Sequence, residues 1–61
     1  MNNADMLHFA ATALEGLAEG LETEMRQGRL HPLEEEGVTL ACKIARQEAL
    51  RMRDRAKELE E

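Results

Sequence analysis

The 61-residue chain contains no serine, tryptophan or tyrosine, and only one cysteine, one proline and one phenylalanine. Without serine there is no seryl nucleophile. A single thiol, Cys42, closes no internal disulfide, and with only His8 and His31 beside it in composition there is no ligand set for a structural zinc. Cys42 reads instead as a small apolar residue on a helix seam. Phe9 is the sole aromatic, and the β-branched residues are confined to Val38, Ile44, Thr12, Thr23 and Thr39. That supply is too thin for a sheet sandwich or barrel. No apolar run approaches the ~20 residues a membrane-spanning helix needs. The opening MNNADM has neither the basic stretch nor the apolar core of an export signal, so the sequence predicts a cytoplasmic protein.

What is abundant is Ala, Leu, Glu, Arg and Met, the residues that form helices most readily. Residues 4–27 repeat apolar side chains at Leu7, Ala11, Leu14, Ala18, Leu21 and Met25, alternating steps of four and three, with Ala10 and Leu17 widening the stripe. Asn2 or Asn3 is placed to cap this helix, Asp5 complements its dipole, and Gly28 suits a left-handed C-terminal cap. Residues 32–59 form the second pattern: Val38, Cys42, Ala45, Ala49, Met52, Ala56 and Leu59. Pro32 fits its first position, and Glu34, Glu35 and Glu36 crowd its positive end. A turn as short as 28–31 makes neighbouring helices antiparallel. The expected fold is therefore all-α: residues 1–61 as a single helical-hairpin domain, each helix roughly 37 Å long at ~1.5 Å per residue. In that hairpin Leu21 lies level with Val38, Leu14 with Ala45, and Leu7 with Met52.

Size shapes the functional expectation. Below about 70–80 residues one core rarely supplies more than ~3–5 kcal/mol, and small folds add disulfides, metals or subunits. Association remains, and the sequence predicts a homodimer forming a four-helix bundle. Two further strips supply candidate contacts. Met6, Phe9, Ala13, Gly16 and Gly20 form an uncharged strip on the first helix, and Leu33, Gly37, Leu40 and Ile44 form one on the second. Leu40 and Ile44 of one chain are expected to rest in the Gly16/Gly20 notch of another. Two glycines inside a helix each cost about 1 kcal/mol relative to alanine, which such a contact would offset.

Charge is uneven. Thirteen acids against eight bases give a net charge of -5, the wrong sign for a mainly electrostatic nucleic-acid or anionic-membrane binder. Yet residues 37–57 hold six bases and two acids. Lys43, Arg46, Arg53 and Lys57 share a face with Leu50 between them, an alternative nucleic-acid contact if two copies flank a dimer axis. Such a stripe otherwise serves as a solvated face or as the partner of acidic helices. Nothing else suggests chemistry. His8 and His31 sit near opposite ends of the hairpin, far from Cys42, and no Gly-rich phosphate loop occurs. The expectation is a non-enzyme without metal or cofactor. It would act as a small adaptor, co-chaperone or inhibitor on itself and on another protein through apolar helix faces. A purely structural element of a larger assembly would use the same heptad seam.

Overall fold

The computed structural model describes residues 2–60. It is an antiparallel pair of helices, α1 (Asn3–Arg26, 24 residues) and α2 (Pro32–Glu60, 29 residues), packed along their length. Their Cα atoms span 44 × 17 × 11 Å, a flat slab one helix thick. α1 begins and ends one residue earlier than the sequence pattern suggests, because Asn2 rather than Asn3 takes the capping role. Its Oδ1 accepts the Asp5 N–H at 2.8 Å, satisfying one of the free donors of the first turn.

The turn is closed by local hydrogen bonding. Gly28 has φ +69°, the left-handed conformation that glycine adopts without penalty. The Gly28 N–H reaches the Met25 carbonyl at 3.0 Å, and the Arg29 N–H reaches back to Glu24 at 3.1 Å. These two bonds are the Schellman pattern that ends a helix. An ion pair between Arg29 and Glu24 at 3.2 Å spans the same two residues. On the far side His31 starts α2. Its Nδ1 accepts the Leu33 N–H at 3.2 Å, while the Glu34 carboxylate accepts the His31 N–H at 2.9 Å. This is a reciprocal capping box with imidazole in the place usually held by a hydroxyl. Pro32, at the first helical position, loses nothing by lacking an N–H.

The interior is built from small residues. Ala4, Ala11 and Ala18 of α1 and Cys42, Ala49 and Ala56 of α2 are the buried side chains among the described residues. The Cys42 thiol donates to the Ala18 carbonyl at 3.4 Å, so those two residues are level. Moving seven residues along each helix from that pair brings Ala49 opposite Ala11, and seven more brings Ala56 opposite Ala4. Every rung at the centre of the seam thus joins one small side chain to another, which permits close approach of the helix axes. The expected heptads are present, with alanine innermost. Leu7, Leu14, Val38, Ala45 and Met52 are only half-buried, Leu21 and Leu59 are exposed, and Leu17 is 66% exposed. With a single neighbouring helix, only the line of closest contact is covered from both sides, and residues flanking it stay open.

Candidate interaction surface

The seam divides the slab into two broad faces, and consecutive residues supply opposite ones. A step of one residue turns the helix by ~100°. Each heptad therefore sends a leucine-type position to one flank of the alanine seam and the next residue to the other. In α1 these segments read Ala4–His8, Ala11–Glu15 and Ala18–Glu22: alanine, two intervening residues, leucine, then a titratable residue. In α2 the corresponding segments are Cys42–Arg46, Ala49–Arg53 and Ala56–Glu60.

The titratable positions meet across one face as a ladder. Arg46 pairs with Glu22, Arg53 with Glu15, and His8 Nε2 lies 3.1 Å from Glu60 Oε1. Successive rungs are seven residues apart on both helices, and the third reverses polarity, with the base on α1. Arg53 also donates to Thr12 Oγ1 at 3.2 Å. The Arg53 guanidinium, hydrogen-bonded to Glu15, holds that carboxyl below its usual range, against a smaller opposing effect of desolvation. Glu22 in turn raises Arg46, first through its hydrogen bond and then through its charge. Sequence pattern alone treats Arg46 and Arg53 as half of a basic stripe. In the structure both engage α1 carboxylates, which leaves Lys43 and Lys57 as the exposed members without a charged partner among the described residues. The signal that finds these pairs is the repeated Leu-Glu step of α1 set against Ala-Arg and Met-Arg in α2.

The opposite face is apolar. Leu7, Leu14 and Leu21 run along α1 beside Ala10 and Leu17, facing Ala45, Met52 and Leu59 of α2. At the open end of the hairpin this face dips into a concavity of about 400 Å³ lined by Asn3, Met6, Leu7, Ala10, Arg55 and Leu59. Its charged fringe is unevenly distributed. At 100° per residue, Glu24 and Glu34 border it near the turn, Glu48 borders it at mid-length, and Arg55 borders it near the open end.

The two strips singled out in the sequence lie elsewhere. Phe9 and Gly16 project from the outer edge of α1, and Leu33 and Leu40 from the outer edge of α2, on the sides turned away from the other helix. All of them are exposed, Leu33 at 75%. Two residues past the seam, Met6, Ala13 and Gly20 of α1 and Gly37 and Ile44 of α2 lean from those strips toward the leucine face, and Met6 lines the concavity. A Cβ built on Gly16, Gly20 or Gly37 meets nothing within 4 Å, so no contact inside the chain requires glycine there.

Chemistry-bearing groups do not converge. Among the described residues no three His, Cys, Asp or Glu side chains are grouped as a metal ion would need. Cys42 is buried against the Ala18 carbonyl. No described helix is long and apolar enough to cross a membrane. No family model, curated protein or solved structure matches the chain.

Proposed function

We propose that this chain is a small non-catalytic protein–protein interaction module of the adaptor, co-chaperone or inhibitor class, working in the cytoplasm. It acts by covering its open helix faces with another polypeptide, beginning with a second copy in a four-helix bundle. One observation carries the reading: the sorting of side chains by size. Small residues fill the seam, while Met6, Phe9, Leu17, Leu40, Ile44 and Leu59 stand at least half exposed. Burying an alanine methyl contributes about 0.8 kcal/mol, whereas a leucine or methionine side chain contributes about 1.5–3 kcal/mol. Much of what those large side chains could contribute is therefore unused within one chain. Apolar patches beyond a few hundred Å² mark association sites on soluble proteins.

The experiment is a dilution series from millimolar to nanomolar that records solution mass and helical circular dichroism together. Mass and helicity should fall over the same concentration range, since association that selects the folded chain makes stability concentration-dependent. A monomeric mass with constant helicity throughout would overturn self-association as the first use of these faces.

A further inference from the structure

We propose that the leucine face, rather than the outer-edge strips, is where a second copy of this chain docks, and that the two hairpin turns lie at opposite ends of the pair. The inference rests on the association reading above and adds to it a surface and an orientation.

The first support is extent. A slab face of 44 × 17 Å offers on the order of 750 Å² per chain, close to the ~800 Å² per partner of a standard specific interface. Each outer-edge strip is one helix wide and offers about half of that. The ladder face has comparable extent, but its charged side chains already satisfy one another, and covering them would exchange water for nothing.

Charge selects the orientation. Beside the turn Glu24 is already paired with Arg29, so the fringe charges left to choose an orientation are Glu34 near the turn and Arg55 near the open end. A twofold axis parallel to the helices stacks α1 on the partner's α2 with both turns together, which sets Glu24 against the partner's Glu34. A twofold axis across the helices stacks α2 on α2 in antiparallel fashion and brings Arg55 within about a turn of the partner's Glu34. Only the second arrangement sets Arg55 against a carboxylate; the first sets Glu34 against the neutral Glu24–Arg29 pair and leaves Arg55 unanswered.

Shape agrees with charge. In the crosswise arrangement the concavity at the open end comes level with the partner's Leu21 and Val38, side chains left open or half-open within their own hairpin. Leu17, near mid-length of α1, comes level with the small residues Ala10 and Ala13 of the partner's α1. Large side chains thus meet small ones on both sides of the axis.

The test is sedimentation equilibrium on the full chain and four variants. Leu17→Glu buries two carboxylates per dimer and should weaken association at least ~100-fold. Leu40→Glu, on the outer edge, should change it by less than about threefold. Arg55→Glu, which sets a carboxylate against the partner's Glu34, should weaken it about fivefold, and Arg55→Gln should weaken it less. A Leu40→Glu monomer beside a Leu17→Glu dimer would overturn this face and leave self-association standing. A wild type that is monomeric at every concentration would overturn both readings, and a wild-type trimer or larger species would overturn the paired arrangement.

Loss of the fold is controlled independently by leaving the face intact. Nitroxides on Gln27→Cys, in a Cys42→Ala background, should lie about as far apart as the 44 Å length of the slab. A separation below about 20 Å places the turns together and overturns the orientation.

Discussion

The two broad faces of the hairpin are made by neighbouring residues of the same heptads, yet their states differ. On one, Glu22 and Glu15 meet Arg46 and Arg53, and Glu60 meets the His8 imidazole, so each polar group brought by one helix is answered by the other. On the other, Leu14, Leu17 and Leu21 of α1 meet α2 positions that supply only alanine or valine near the turn and Met52 and Leu59 farther along. Ion pairing is a pairwise contact, and two helices complete it. Apolar burial requires exclusion of water from all sides, and a slab 11 Å thick cannot provide that away from its seam. A two-helix chain can therefore satisfy its polar face by itself, whereas its apolar face stays open to water.

The sharpest way to break this comparison is to disturb the seam from which both faces are measured. Ala11 is fully buried and lies level with Ala49, which is fully buried as well. Ala11→Leu forces the helices apart there and should destabilise the chain by about 1–3 kcal/mol. That is a large share of what a domain this small can hold. The midpoint of a urea melt at fixed chain concentration measures it. Unchanged stability would show that the helices are not in close contact at this rung, and both faces would lose their definition.

How far such features were legible in the sequence depends on how local their cause is. The Asn2 cap, the Gly28 turn and the Pro32 start follow from a few adjacent residues. The antiparallel pairing follows from a short turn between two heptad patterns, and the level of Leu14 with Ala45 agrees with the observed Cys42–Ala18 bond to within a residue. The phase within the heptad was harder to read. Leucine and alanine positions both fit a seam, and hydrophobicity alone favours putting leucine at the centre. The close approach available to small residues on both helices puts alanine there instead. The ladder was hidden for a related reason. Arg46 and Arg53 look like a stripe when α2 is read alone, and become half of a ladder only once Glu22 and Glu15 are set opposite. Exposure of the leucine face depends on the number of layers around it, which no local pattern in one chain encodes.

A second comparison sets the outer edge of α1 against its leucine face. Gly16 and Gly20 have open space where a side chain would begin. If the notch they form is free, Gly16→Ala and Gly20→Ala should each add about 1 kcal/mol of stability through helix propensity, with the dissociation constant unchanged. If the notch holds Leu40 and Ile44 of another chain, the added methyls would enter that contact and weaken the pair. Thermal melts together with sedimentation of the double variant separate the outcomes. Stabilisation accompanied by weaker association would move the interface to the glycine edge.

The smallest effect belongs to the ladder, because both partners of each rung remain partly hydrated and surface pairs contribute little. Its signature is the direction of a pH dependence. Glu15 has its folded-state pKa lowered, chiefly by the hydrogen bond from Arg53. A depressed carboxyl contributes stability that is fully present above its unfolded pKa and is lost as pH falls through the folded value. Wild type should therefore lose slightly more stability on acidification than Glu15→Gln does, and the two melting curves should converge at the acid end. The raised Arg46 contributes below its unfolded pKa and loses that contribution only at strongly alkaline pH, so it is silent in the same titration. Identical pH profiles for wild type and Glu15→Gln would show that the Arg53 rung is not made in solution. The ladder face would then be open like the leucine face, and the contrast between the two would reduce to polarity alone.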